Sequence, residues 1–188
     1  PYKWQEIAGT SIGELYGYEP VGFYQVEDFN ADGSLKEGVV SSGLISNLRQ
    51  GDVKYKNLNV DGVIDENDDK YHGVTVTPSV YYGINLGMKY KNFGFDAVFQ
   101  GAGGFMVHTN LPSVYQPLYD NDKNISKHYL KSYWSAESPE GRYPRLTTKS
   151  NAHNFAESPI WWEKGDYFKL RNLFVWYDLG QYMNRIDS

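Results

Sequence analysis

Cysteine is absent from this chain of 188 residues, which excludes disulfide staples and thiolate metal sites. No run of about 18 apolar residues occurs, so no stretch can cross a bilayer as a helix. Basic residues are not in excess either. Lys and Arg number 18 against 23 Asp and Glu, a formal net charge of −5. No cationic surplus is available to neutralise phosphates, and no nucleic-acid partner is expected. The chain opens at Pro1 without a signal peptide and stops at Asn184-Arg185-Ile186-Asp187-Ser188. It is therefore expected to be a fragment whose leader lies upstream.

Aromatic residues and glycine are abundant. Seventeen Tyr, nine Phe and five Trp make 16% of the chain, beside 19 Gly. Aromatics favour strands and Gly marks turns, bulges and close backbone approaches, so the composition predicts an all-β fold. A mean hydropathy of −0.59 would ordinarily indicate a soluble protein. Transmembrane barrels pass that test too, because only alternate residues face lipid and the lumen side stays polar.

The clearest structural signal spans residues 79–107. Val80, Tyr82, Ile84, Leu86, Met88 and Tyr90 alternate with Tyr81, Gly83, Asn85, Gly87 and Lys89, a period of two long enough for a tilted membrane-crossing strand. After a turn at Lys91-Asn92, Phe93, Phe95, Ala97 and Phe99 alternate with Gly94, Asp96, Val98 and Gln100. The two runs predict a hairpin with one apolar and one polar, glycine-rich face. That face packs on a second sheet in a soluble sandwich and on lipid in a barrel; Tyr82 and Tyr90 at its ends resemble an interfacial girdle.

Elsewhere the pattern is looser. Residues 1–50 read as short strands or a structured loop. Residues 108–155, punctuated by Pro112, Pro117, Pro139 and Pro144, read as a long extracellular loop. Ser158–Trp162 and Tyr167–Leu179 flank Glu163-Lys164-Gly165-Asp166 and predict a last hairpin, with Gly165 supplying positive φ. Phe168, Leu170, Phe174 and Trp176 would share its apolar face, which Asn172 interrupts. The whole of 1–188 is expected to be one partial barrel domain.

The most specific local motif is Asn57-Leu58-Asn59-Val60-Asp61-Gly62-Val63-Ile64-Asp65-Glu66-Asn67-Asp68. Oxygen side chains fall at loop positions one, three, five, nine and twelve, with Gly at six and an aliphatic at eight. Ca²⁺ takes about six to eight oxygens, and this spacing wraps them around a point. Asn57, Asn59, Asp61, Asp65 and Asp68 would supply side chains, Val63 its carbonyl, and Ile64 would pack inward, without flanking helices. The role would be structural, stiffening a loop. A chain of Asx-turns without metal is the alternative, since Asn and Asp make such turns unaided.

Catalytic constellations are missing from the pattern, and no enzyme is expected. His72, His108, His128 and His153 stand apart and read as surface or loop residues. Glu137 with Glu140, or Asp120 with Asp122, are acidic neighbours without a distinguishing feature. Gly101-Ala102-Gly103-Gly104 reads as a bulge or turn at a strand end, not a phosphate loop. Trp134, Trp161 and Trp162 could stack on sugar rings as substrate-binding residues, or serve as structural aromatics.

Several segments together resemble the SusC/RagA family of TonB-dependent transporters. Tyr16-Gly17-Tyr18 with Val21-Gly22-Phe23-Tyr24-Gln25 is similar to the family's GY…DGIFQ stretch, and Gly51 to Asp65 to its GDIKYKDLNGDGVID segment. Asn57 and Val60 stand where that segment often has Asp and Gly. Tyr82–Leu86, Tyr90–Phe93, Phe99–Gly101, Tyr143–Leu146 and Tyr167–Asn172 match later stretches in the same order, with Lys169 and Arg171 reversing the family's Arg…Lys. The resemblance implies the C-terminal part of an outer-membrane barrel of about 22 strands with an internal plug. It further implies import of an oligosaccharide or peptide, energy from TonB through parts of the chain not present here, and a SusD-like surface lipoprotein as partner. Such a fragment leaves strand edges that lipid cannot satisfy, so it should not form a stable membrane structure alone. The rival readings are a soluble all-β glycan-binding module with a dockerin-like calcium loop, and a piece of a surface adhesin.

Overall fold

The computed structural model describes residues 2–109, 111, 114–119 and 123–180. Asp120 and Asp122, Pro112 and the 184–188 stretch lie outside them. Six strands come first: β1 (Glu14–Tyr18), β2 (Pro20–Phe23), β3 (Ser41–Ser42), β4 (Val53–Tyr55), β5 (Val63–Ile64) and β6 (Asp69–Thr75). Two long ones follow, β7 (Val80–Tyr90) and β8 (Phe93–Gly103). Then come β9 (Met106–His108), helix α1 (Lys127–Ser132), β10 (Trp162–Lys164) and β11 (Tyr167–Tyr177). The fold is all-β, and α1 is a short α-helix within it. The chain divides into two compact units. One draws on residues 1–76 and 107–163, the other on 77–106 and 164–188.

The second unit is a three-stranded antiparallel sheet in the order β11-β8-β7. The predicted hairpin is present with eleven residues in each strand and a two-residue turn, in which Lys91 takes φ +54°. Such turns match the right-handed twist of the strands they join. The predicted last hairpin is not. β11 pairs along its length with β8, from Tyr167 opposite Ala102 to Tyr177 opposite Phe93. Ser158–Trp162 instead enters the other unit through a 3₁₀ turn at Pro159–Trp161, because Trp161 and Trp162 are buried there. Gly165 does not take positive φ; it is small because the Phe105 ring lies where its Cβ would stand. Gly101 and Gly103 lie within β8, and only Gly104, at φ +74°, ends it.

The first unit is built on short sheets: β1 with β6 and β2 with β4 antiparallel, and β3 with β5 parallel. Tyr18, Val53, Tyr55 and Ile64 bury one cluster, joined by Phe23, Leu44 and Ile160. A second aromatic group forms where a loose loop was expected. Tyr129 and Tyr143 stack at 4.5 Å, Tyr143 stacks on Trp161 at 5.9 Å, and Tyr115 meets Trp161 edge-on at 5.4 Å. Helix α1 delivers Tyr129 to this group, its start fixed by Ser126, whose hydroxyl accepts from the Tyr129 N–H. Aromatic contacts of this kind contribute about 0.5–1.5 kcal/mol each beyond area burial. Residues 108–155 therefore include packed core despite their polar, proline-punctuated sequence.

Candidate functional site

The sheet of β7, β8 and β11 carries two chemically distinct faces, and a β-bulge sets them. Leu170 lies opposite Phe99 and Asn172 opposite Val98, so Arg171 is the extra residue. Residues directly opposite in a ladder point to the same side, which sorts the three strands into rungs. One face reads Tyr90–Phe93–Tyr177, then Met88–Phe95–Val175, Leu86–Ala97–Leu173, Ile84–Phe99–Leu170 and Tyr82–Gly101–Phe168. Every side chain on it is apolar or aromatic, with Tyr at both ends and mostly aliphatic residues between. The expected grouping of Phe174 and Trp176 with Phe168 and Leu170 is corrected, because the bulge inverts the parity beyond Arg171. Phe174 and Trp176 share the opposite face with Asn172, and Asn172 interrupts nothing.

The opposite face holds Lys89, Asn85, Asp96, Gln100, Lys169 and Asn172, with glycines between. Arg171 donates to the Gln100 side chain at 3.1 Å. Trp176 stacks on Phe174 at 5.6 Å and covers Gly94, where a Cβ would meet its ring at 2.3 Å. On the apolar face the Tyr82 ring lies over Gly101 in the same way and stacks beside Phe168 at 6.0 Å. Among the described residues no second layer covers the apolar face: Leu86 is 51% and Leu173 56% exposed. A continuous apolar surface of this extent marks a site of contact with lipid or protein.

In the first unit a buried carboxylate organises segments about a hundred residues apart. Asp52 is fully buried. Its Oδ1 accepts from Arg145 Nε at 2.7 Å, Asn154 Nδ2 at 2.8 Å and Asn151 Nδ2 at 3.2 Å, while Oδ2 accepts from the Arg49 N–H at 2.8 Å. Asn154 returns an acceptor to the Val53 N–H at 2.9 Å. His153, read from sequence as a surface or loop residue, is fully buried beside it. Its Nε2 meets the Val53 carbonyl and its Nδ1 the Ser42 hydroxyl at 2.8 Å, and burial lowers its pKa. Polar residues in a proline-rich stretch gave no sign of this; the one clue was Gly51-Asp52. Gly51 takes φ +82° and sits so close to Trp134 and Arg145 that no side chain fits.

The 57–68 loop bends at Gly62, at φ +90°, and buries Ile64, both as expected. Its oxygens are engaged locally. Asn57 accepts from Val60 N–H, Asn59 from Asp61 N–H, Asp61 from Val63 N–H and Asp65 from Asn67 N–H. Asp68 is fully buried and accepts from the Leu58 and Asp65 N–H groups at 2.6 and 3.1 Å. Val63 lies in β5, opposite Ser41. Among the described residues no three His, Cys, Asp or Glu side chains gather as a metal-holding group. A cation would have to draw Asp61, Asp65 and Asp68 together, using lone pairs that the Asx-turns leave over. Next in sequence, Asp69 has its pKa raised to about 6, first by burial and then by Asp68.

The three tryptophans are also placed. Trp161 is fully buried and donates to the Asn154 carbonyl at 3.1 Å, and Trp162 donates to Glu157 at 3.1 Å. Trp134 donates to Gln25 at 3.2 Å, and its small exposed part lines a hollow of ≈ 520 Å³ with Phe29 and Arg145.

No protein-family model matches the chain. Over 172 residues it is 26% identical to TonB-dependent receptor P3 of Formosa agariphila, covering 91% of the chain and 15% of the relative. Over 175 residues it is 26% identical to TonB-dependent receptor P26 of the same organism, covering 93% and 17%. The resemblance to TonB-dependent receptors of the SusC/RagA type is borne out. The fold agrees with it. The RagAB peptide importer, solved in a closed-closed state, superposes with a TM-score of 0.53 over 87% of the chain and 16% of its own, at 18% identity. The chain thus spans about a sixth of the length of these TonB-dependent receptors. None of these names describes an enzyme, as the sequence led us to expect.

Proposed function

We propose that the chain is part of the wall and loops of an outer-membrane TonB-dependent importer, with the β7–β8–β11 sheet crossing the membrane. The apolar face meets lipid and the Lys89–Asp96–Gln100 face meets a wet lumen. The observation that carries this reading is the bulge-corrected register, which gathers three strands' apolar side chains on one uncovered face with aromatics at both ends. Eleven residues at about 3.3 Å each, tilted by about 45°, rise roughly 26 Å, which matches an apolar band of about 25 Å. Two relatives named as receptors and one peptide importer of like fold support import as the activity. The cargo is an oligosaccharide or a peptide, a SusD-like surface lipoprotein is the partner, and TonB supplies energy through other parts of the full-length protein. A structural Ca²⁺ in the 57–68 loop belongs to the same proposal and rests on donor spacing alone.

The test is a pair of substitutions in the full-length receptor. Leu86→Lys puts a charge at mid-depth on the lipid face and should cost about 2–4 kcal/mol, read as loss of the heat-modifiable folded band in outer membranes. Asn85→Lys, one residue away on the lumen face, should leave that band intact. Equal tolerance of both, or recovery of the receptor in the soluble fraction, overturns the reading; the second outcome favours a soluble glycan-binding module.

A further inference from the structure

A hollow of ≈ 510 Å³ in the first unit is lined by Asn47, Arg49, Arg145, Thr147, Lys149 and Asn151, among others. Its size falls within the usual range for small-ligand sites. Three cations face it, and among the described residues no Asp or Glu lines it.

The cations are not spent on one another's neighbours. Among the described residues neither Arg49 nor Lys149 forms an ion pair. Arg145 gives only Nε to Asp52, which leaves the two terminal amino groups of its guanidinium. Asp52 cannot yield, since Asn151, Asn154 and the Arg49 N–H hold it from three sides. The Arg145 N–H donates to the Gly51 carbonyl at 2.9 Å, and Thr147 accepts from the Lys149 N–H at 3.1 Å, so both walls are fixed before a ligand arrives. Planar guanidinium groups pair with oxyanions in two-pronged fashion, and amide and hydroxyl side chains between them suit ligand hydroxyls.

We propose that this hollow is a binding site for a small hydroxylated ligand bearing an oxyanion, a carboxylate or a sulfate ester, gripped by Arg49, Arg145 and Lys149. The proposal does not rest on the import reading, because binding is measured without transport. In the full-length receptor purified in detergent, calorimetry at low salt with D-glucuronate and with D-glucose 6-sulfate tests the two oxyanion sources, and D-glucose is the neutral control. At least one acid should bind, and its Kd should rise about tenfold or more in Arg49→Gln/Lys149→Gln. Lys36→Gln/Lys131→Gln removes the same charge at exposed positions elsewhere and should leave Kd unchanged, as should D-glucose show no binding. The proposal falls if neither acid binds, if both double variants weaken binding alike, or if Arg49→Gln/Lys149→Gln binds as the parent does.

Discussion

Leu170 and Asn172 stand two residues apart, yet they pair with adjacent residues of β8, Phe99 and Val98. One bulged residue, Arg171, thereby turns Leu173, Val175 and Tyr177 onto the face that Phe168 and Leu170 began. Deleting Arg171 removes the bulge yet leaves Asn172 opposite Val98, with Leu173, Val175 and Tyr177 still on the apolar face. The full-length receptor should then still give a heat-modifiable folded band in outer membranes. Arg171→Ala keeps the bulge and should fold as well; loss of the folded band in the deletion variant would remove the register argument.

Asp52 predicts the largest stability effect in the first unit. Asp52→Ala leaves the Arg145 charge and the side-chain amides of Asn151 and Asn154 without their shared acceptor. Breaking a buried pair on one side costs about 3–5 kcal/mol. Hydrogen exchange in residues 145–154 of the full-length receptor should accelerate strongly, with the β7–β8 hairpin unchanged.

Asp69 predicts a pH dependence of defined sign. Its folded pKa of about 6 lies above the unfolded value of 3.8, so the folded form holds its proton where the unfolded form has lost it. Stability from this group is full below the unfolded pKa and lost as pH rises through about 6. Asp69→Asn should therefore resist proteolysis of β1 and β6 better than the parent at pH 7.5, by a smaller margin at pH 5, and equally only below the unfolded pKa of 3.8. His153 titrates with the opposite sign, because burial lowers its pKa. Comparing variant with parent at each pH removes its contribution.

For the 57–68 loop, a bound Ca²⁺ would cross-brace carboxylates that now serve separate Asx-turns. Chelation should then raise protease cleavage within 57–68, with β7, β8 and β11 intact, and Ca²⁺ should restore protection where Mg²⁺ does not. Cleavage indifferent to chelator would leave the turn chain as the whole account.

The amino-acid sequence by itself determined the β7–β8 hairpin, since a period-two pattern over eleven residues leaves one way to hide or solvate each side. It also determined the bend at Gly62 and the inward Ile64, because local spacing dictates local turns. Tertiary structure alone decided that β11 pairs with β8, that Arg171 bulges and that Phe174 faces away from Leu170. A bulge has no signature in one strand; it exists only relative to the partner's register. The same holds for Asp52, His153 and Arg145. Apart from Gly51 beside Asp52, nothing near them in the chain indicates burial, because their partners arrive from about a hundred residues away, and long-range hydrogen bonds leave no periodicity to read.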